Sequence, residues 1–292
     1  MTDDPFVAHR GLLFTAAYEM LGSAADAEDV VQETWLRWAD LDTRARTDVR
    51  DPRAYLVRIV TRQALNRLRT LARRREEYVG EWLPEPLLTS PDVAEDVELT
   101  ESVSFAMLTV LETLGHTERA VFVLREVFDT PYDEIAAAVG KTPAAVRQIA
   151  HRAREHVAAC RPRTPVSRAE QEAVVTRFLS AVRGGDLQQL LDVLAPDVVV
   201  IADGGGFVAA PRRPVVGARR VAPLLGNLVR LAVAFEAMPL WLNGGAAFRL
   251  DIDGELAAVA SLVVEDGRIS RIYAVVNPHK LARLDRETRL SR

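Results

Sequence analysis

The sequence predicts a multidomain chain: two all-α helical modules, the second with a helix-turn-helix, followed by an α+β domain. Three observations carry this. Up to residue 160, apolar residues recur at i, i+3, i+4 and i+7, the stripe of amphipathic helices. The basic, proline-broken stretch Arg161-Pro162-Arg163-Thr164-Pro165 then interrupts the pattern. Beyond it come two helical segments and a series of β-branched runs joined by Asp-Gly turns.

In residues 1–43 there are nine acids and two arginines. A helix is expected over 6–21. Ser23 can cap a second helix reaching about Leu41, on which Val31, Trp35 and Trp38 should be buried. Asp26, Asp29 and Glu33 lie elsewhere around that helix, either solvated or meeting a basic partner. Residues 44–75 reverse the sign, with eleven arginines and two acids. Asp51-Pro52 is a cap followed by a first-turn proline. The long helix after it places Leu56, Val60, Ala64, Leu68 and Leu71 on one side and Arg58, Arg62, Arg69 and Arg73 on the other. A stripe of arginines on a rigid rod follows a phosphate backbone well, because each neutralised phosphate releases counterions. Tyr55, near its start, is either a core residue or a platform for an unpaired base.

Residues 76–101 switch sign again, with nine acids and no Lys or Arg. Trp82-Leu83-Pro84-Glu85-Pro86 cannot form a regular helix, so this is an extended linker. A tryptophan there needs a surface to bury against. Helices are expected over 103–114 and 117–128, the latter with Val121, Leu124 and Phe128 inward.

Tyr132, Ile135, Ala136 and Val139 then mark a short helix that Gly140 can stop. Thr142 and Pro143 start the next, whose inner stripe is Val146, Ile149, Ala150, Ala153 and Val157. Its other face carries Arg147, Gln148, His151, Arg152 and Arg154, with Lys141 and Thr142 at its start. Such a pair forms a helix-turn-helix, and Arg and Gln on a helix in the major groove can pair with guanine and adenine.

In the last third, helices are expected over 169–183 and 187–194, separated by Gly184-Gly185-Asp186, and again over 217–232. Strands are expected over 198–202, 234–242, 246–252, 256–265 and 268–276, with Asp253-Gly254 and Asp266-Gly267 as hairpin turns. Asp203, Asp251 and Asp253 are candidate carboxylates by type only. Asp253 is explained by its turn, and Asp251 by exposure on a strand.

The order of these features resembles the extracytoplasmic-function (ECF) sigma factors of bacteria. The carriers are Asp26-Ala27-Glu28-Asp29-Val30-Val31-Gln32-Glu33-Thr34-Trp35, Tyr132-Asp133-Glu134-Ile135-Ala136 and Val146-Arg147-Gln148-Ile149-Ala150-His151-Arg152-Ala153-Arg154. The resemblance implies a region-two helical domain over 5–76, an acidic linker over 77–101 and a region-four helix-turn-helix domain over 102–160. It implies that Asp26, Asp29, Val30, Val31, Gln32 and Glu33 contact RNA polymerase core. The 52–75 helix, with Tyr55, Arg58, Arg62, Arg69 and Arg73, would bind and help open the downstream promoter element. Lys141, Thr142, Arg147, Gln148, His151, Arg152 and Arg154 would read the upstream element as duplex. Arg62 and Asn66 stand where the family usually has Asn and Asp, and Gly115-His116 replaces a common Ser-Pro.

Residues 168–285 resemble the cone-shaped SnoaL-like α+β domain. Trp82-Leu83-Pro84-Glu85-Pro86, Asp203-Gly204-Gly205-Gly206 and Asn277-Pro278-His279-Lys280-Leu281 look like marks of the ECF subgroup that carries such a domain as its own regulator. This implies a contact among those three motifs, with Trp82, Leu83, Pro84, Glu85, Pro86, Asp203, Gly204, Gly205, Gly206, Asn277, Pro278, Lys280 and Leu281 as regulatory residues. It also implies that no dedicated anti-sigma factor is needed. Phe207 follows the glycines where a basic residue is common.

The single Cys160 excludes an intramolecular disulfide, and the five histidines lack metal-ligand spacing. No apolar run spans a bilayer, so a cytoplasmic protein with no metal, cofactor or membrane partner is expected. A small-molecule ligand in the C-terminal pocket is a further expectation. Two rival readings remain at this level: a ligand-responsive DNA-binding transcription factor independent of polymerase, and a cone-fold isomerase- or cyclase-like enzyme.

Overall fold

The computed structural model describes residues 4–90, 97–160, 166–231, 235–284, 287–288 and 290–291. The first helical group comprises α1 (Pro5–Leu21), α2 (Ala24–Ala39), α3 (Thr43–Asp48) and α4 (Pro52–Glu76). Side chains set its helix starts: Asp4, Ser23 and Asp42 accept from Phe6, Asp26 and Ala45 N–H at 2.8, 3.2 and 2.7 Å. Gly22, at φ +67°, stops α1 in the left-handed conformation that glycine adopts freely. Leu56, Val60, Ala64 and Leu68 of α4 are fully buried against α1 and α2.

Trp35 departs from expectation. The buried stripe of α2 runs through Ala27, Val30, Val31, Thr34 and Trp38. Trp35 lies one helical step to the side, 36% exposed, with its ring 5.0 Å from that of Phe6.

The second group comprises α5 (Val97–Val103), α6 (Phe105–Leu111), α7 (His116–Phe122) with a π-helical turn at Val123–Val127, α8 (Tyr132–Val139) and α9 (Pro143–Cys160). The single helix expected over 103–114 is thus broken at Ser104, which caps α6 by accepting from Met107 N–H. Residues 97–101, expected to be linker, are helical. The helix expected over 117–128 ends in the π turn, where Thr130 N–H reaches back to Leu124 O. Both helical groups share one continuous core, from Phe6 to Val157.

The C-terminal domain comprises α10 (Arg168–Gly184), α11 (Leu187–Val193), β1 (Leu194–Asp203), β2 (Val215–Val216), α12 (Ala218–Leu231), β3 (Phe235–Leu242), β4 (Gly245–Ile252), β5 (Glu255–Glu265), β6 (Arg268–Val275) and α13 (Pro278–Leu281). Its six strands lie in the order β2-β1-β6-β5-β4-β3, antiparallel except for the parallel pair β1–β6. Asp253-Gly254 and Asp266-Gly267 make the expected tight turns, all four residues at positive φ. Asn243-Gly244 makes a third.

Side-chain alternation gives the sheet two apolar faces. On one, Ala258, Ala260, Leu262 and Val264 of β5 join Val174, Phe178 and Val182 of α10. There Phe178 and Phe248 meet with ring centroids 5.5 Å apart. On the other, Ala247, Val259, Tyr273 and Val275 join Leu83 of the linker and Phe105 of α6. This second face is covered by the helical half of the chain, and Phe105 stacks on Tyr273 at 6.2 Å.

Candidate nucleic-acid interface and interdomain clasp

The recognition helix α9 follows the expected pattern. Gly140 turns the chain at φ +69°, and Thr142 Oγ1 accepts from Ala145 N–H at 3.3 Å. Val146, Ile149, Ala150, Ala153 and Val157 are buried, so Lys141, Thr142, Arg147, Gln148, His151, Arg152 and Arg154 all lie exposed together. The Arg147 guanidinium sits 5.8 Å from the ring centre of Tyr132, and Arg125 sits 4.9 Å from the same ring.

Along α4, Arg69 is exposed and donates to Asn66 Oδ1 at 2.9 Å. The side chain of Arg73 lies outside the described residues. Tyr55 is half-buried, its ring 6.0 Å from Trp38 and 5.3 Å from the Arg58 guanidinium. Arg62, although exposed, bonds within the molecule: Nη2 donates to Ala137 O at 2.8 Å and Nε to Ala138 O at 3.4 Å. These carbonyls close the last turn of α8, where a cation is favoured by the helix dipole. Arg53 likewise reaches Phe128 O at 3.4 Å. The helix expected to meet the downstream element is therefore tied to α8, the first helix of the helix-turn-helix, rather than to α9 itself.

On α2, Gln32 is exposed, but Val30 and Val31 are 2% exposed. They cannot touch a partner directly, because they hold α2 against its own core. Asp26 and Asp29 pair with Arg67 of α4 at 2.6 and 3.1 Å, and Glu33 accepts from Gln63 at 2.5 Å.

The three expected regulatory motifs converge. Asp203, fully buried at the end of β1, accepts Leu83 N–H at 2.8 Å, Lys280 Nζ at 2.7 Å and the Tyr78 hydroxyl at 2.5 Å. Lys280 also donates to Leu83 O, and its ammonium stands 4.1 Å from the ring centre of Trp82. Asn277 donates to the Tyr78 oxygen at 2.8 Å and caps α13 through His279 N–H. Burial, and then the Asp203 carboxylate, push the Tyr78 hydroxyl well above its usual range, so it remains a donor. Gly205 is required here: at φ +59°, a Cβ would lie 2.3 Å from Asn277 Nδ2. Phe207 is exposed, with its ring edge-on to His279 at 4.4 Å.

The rest of the linker is equally engaged. A Cβ on Gly22 would collide with the Trp82 ring at 2.5 Å, so the indole rests on the α1–α2 corner. Pro84, Glu85 and Pro86 are buried. Glu85 N–H donates to Gly22 O at 2.8 Å, and its carboxylate accepts Ser23 Oγ and Ala25 N–H, both at 3.2 Å, at the start of α2. Leu88 bridges to Leu242 on one side and Glu287 on the other.

Sequence reasoning missed two residues of this junction. Tyr78 carried no signal beyond following an arginine run. Asn243 did: Asn-Gly between strand-like runs is a strong hairpin dipeptide. Asp251 is a correction of another kind, being 7% exposed and held by Arg249 Nε at 2.7 and 2.9 Å. A register shift between Leu250 and Asp251 turns both inward. Asp203 and Asp251 are thus both occupied by cationic partners, and Asp253 serves its turn. Among the described residues no group of His, Cys, Asp or Glu could hold a metal ion, and no helix is long and apolar enough to cross a membrane.

Comparison with known proteins agrees with this geometry. Residues 6–74 match the Sigma-70 region 2 family, and residues 104–157 match Sigma-70, region 4. The chain is 37% identical over 290 residues to the ECF RNA polymerase sigma factor SigJ of Mycobacterium tuberculosis (strain ATCC 25618 / H37Rv), covering 94% of this chain and 91% of the relative. It is 35% identical over 278 residues to a probable ECF RNA polymerase sigma factor, SigI, of the same strain, covering 94% and 92%. The crystal structure of M. tuberculosis SigJ superposes with a TM-score of 0.75 at 34% identity, over 95% of this chain and 97% of that one. Two sigma modules in order, an architecture shared over nearly all of SigJ and an exposed helix-turn-helix face lead to one assignment: the chain belongs to the ECF RNA polymerase sigma factors, acts in promoter recognition and transcription initiation, and carries a fused C-terminal SnoaL-like domain.

Proposed function

We propose that this sigma factor is its own regulator, held by its C-terminal domain in a closed form that polymerase must open. The observation that carries the reading is the tie from Arg62 of α4 to the carboxyl end of α8. With it, the downstream reader is pinned to the upstream reading module. Promoter elements are spaced along DNA, so both modules cannot serve them while sharing one core.

In this reading Asp29, Gln32 and Glu33 meet polymerase core, and Val30 and Val31 hold their helix in place. Asp26, largely covered by Arg67, contributes once that pair opens. Tyr55, Arg58, Arg62, Arg69 and Arg73 act on the downstream element. Lys141, Thr142, Arg147, Gln148, His151, Arg152 and Arg154 act on the upstream duplex. The Asp203–Lys280 pair and its neighbours hold the linker shut. A separate anti-sigma protein is then unnecessary, because the chain's own domain covers the linker. Chemistry is left to polymerase, in keeping with candidate carboxylates that are already paired. A small molecule taken up against α10 would be apolar and would have to part Phe178 from Phe248.

The test is transcription with core polymerase from a promoter this protein serves. Variants that break the clasp, such as Lys280→Ala, should alter the polymerase concentration needed for half-maximal output. Identical titrations for wild type and variant would remove the regulatory part of the reading. Output independent of this protein would remove the whole.

A further inference from the structure

We infer that the tip of the β3–β4 hairpin is the joint through which the C-terminal domain holds both promoter-reading modules, and that Asn243 is its central residue. This rests on the closed-form reading above and names the contact that maintains it.

Asn243 is 1% exposed and sits at φ +53°. Its side chain has two N–H donors and one carbonyl acceptor. One donor goes to the Tyr18 hydroxyl of α1 at 2.7 Å, and the other to Val103 O at the end of α5 at 2.9 Å. The carbonyl accepts Leu87 N–H of the linker at 3.0 Å, and the Asn243 backbone N–H returns to Leu87 O at 2.9 Å. One amide from the C-terminal domain therefore bonds to the first module, the second module and the segment between them.

The surroundings reinforce the joint. Tyr18, fully buried, donates a hydrogen bond to Glu85 O at 2.7 Å, and burial pushes its hydroxyl far above the usual range, so it keeps its proton. Gly244 N–H donates to Thr89 Oγ1 at 3.0 Å, and a Cβ on Gly244 would crowd Thr100 at 3.0 Å. All bonds to the amide lie in one dry place, so separating the modules exposes unpaired groups on each side at once. Such a joint opens as a unit. Every polar atom of the Asn243 side chain is used, so Asp fails for lack of donors, whereas Gly keeps the positive-φ turn and loses only the amide.

The test uses the full chain, with one fluorophore on the native Cys160 at the exposed end of α9 and one on Asp40→Cys at the exposed end of α2. Energy transfer between them reports module separation. Wild type should show high transfer that falls on adding core polymerase. Asn243→Gly should show lower transfer without polymerase, and should open at about tenfold lower polymerase concentration. Tyr18→Phe, which removes one hydroxyl and leaves the turn intact, should shift transfer in the same direction. Combined with Asn243→Gly it should add less than it does alone, because the two variants share the Asn243–Tyr18 bond. If both single variants retain wild-type transfer and wild-type polymerase titration, the joint is overturned while the closed form stands. If wild type itself shows no change with polymerase, the closed-form reading fails first.

Discussion

The Arg62 guanidinium donates to Ala137 O at 2.8 Å, so a residue of α4 closes the carboxyl end of the first helix of the helix-turn-helix. Arg62→Ala removes this bond and its weaker companion to Ala138 O. The free protein should lose about 1 kcal/mol of stability. Association with core polymerase should tighten by about fivefold, because the closed state alone is penalised. Parallel thermal melts and polymerase titrations check both effects, and a variant that melts lower yet binds polymerase no better would contradict the competition.

Asp203 and Lys280 form a pair of which one member is fully buried and the other nearly so. Asp203→Asn leaves the ammonium without its counter-charge and should cost about 3 kcal/mol. Urea unfolding followed by tryptophan emission measures this, since Trp82 lies against Lys280. An unchanged midpoint would mean that the clasp adds nothing to stability.

Arg147→Ala should weaken transcription by about 1–3 kcal/mol at a single position of the upstream element if the guanidinium reads a base there. A panel of promoters changed one base pair at a time tests it. Equal loss on every promoter would instead assign Arg147 to a phosphate.

Glu19 is fully buried between α1 and α5, where it accepts from Ser102 Oγ at 2.7 Å. Burial pushes its carboxyl up to about 8, opposed by the Ser102 hydrogen bond. Folded Glu19 therefore keeps a proton that the unfolded chain releases above about 4.5. Its contribution is fully present below about 4.5 and is lost as pH rises toward about 8, with a limiting slope of about 1.4 kcal/mol per pH unit. Glu19→Gln should flatten this dependence and stabilise the protein at pH near 8. Unfolding midpoints across that range, for both proteins, give the answer.

Much of the architecture was legible because helical and strand periods differ and because capping residues mark element starts. The helix-turn-helix was the clearest case: Gly140, Thr142 and Pro143 punctuate two apolar stripes, and the exposed face followed directly. Three departures have physical causes. Ser104 breaks an apolar run that periodicity alone would continue. The bulge at Leu250 and Asp251 buries a carboxylate that strict alternation places in water. Arg62 has the spacing of a phosphate contact, yet tertiary packing gave it the end of α8. The clasp was legible in its motifs, but Tyr78 and Asn243 act through contacts more than a hundred residues away in sequence, which no local pattern encodes.

Leu88 lies between Leu242 and Glu287, and Thr288 N–H donates to Leu88 O at 2.8 Å. The tail continues to α1, where Ser291 N–H meets Thr15 Oγ1 at 3.1 Å. The segment that joins the sigma modules is thereby woven into a strand and a tail that the chain reaches about 150 to 200 residues later. Chimeras that exchange only the SnoaL-like domain would mismatch that weave, so linker, domain and tail should be transplanted as one cassette, and affinity tags belong away from the carboxyl terminus.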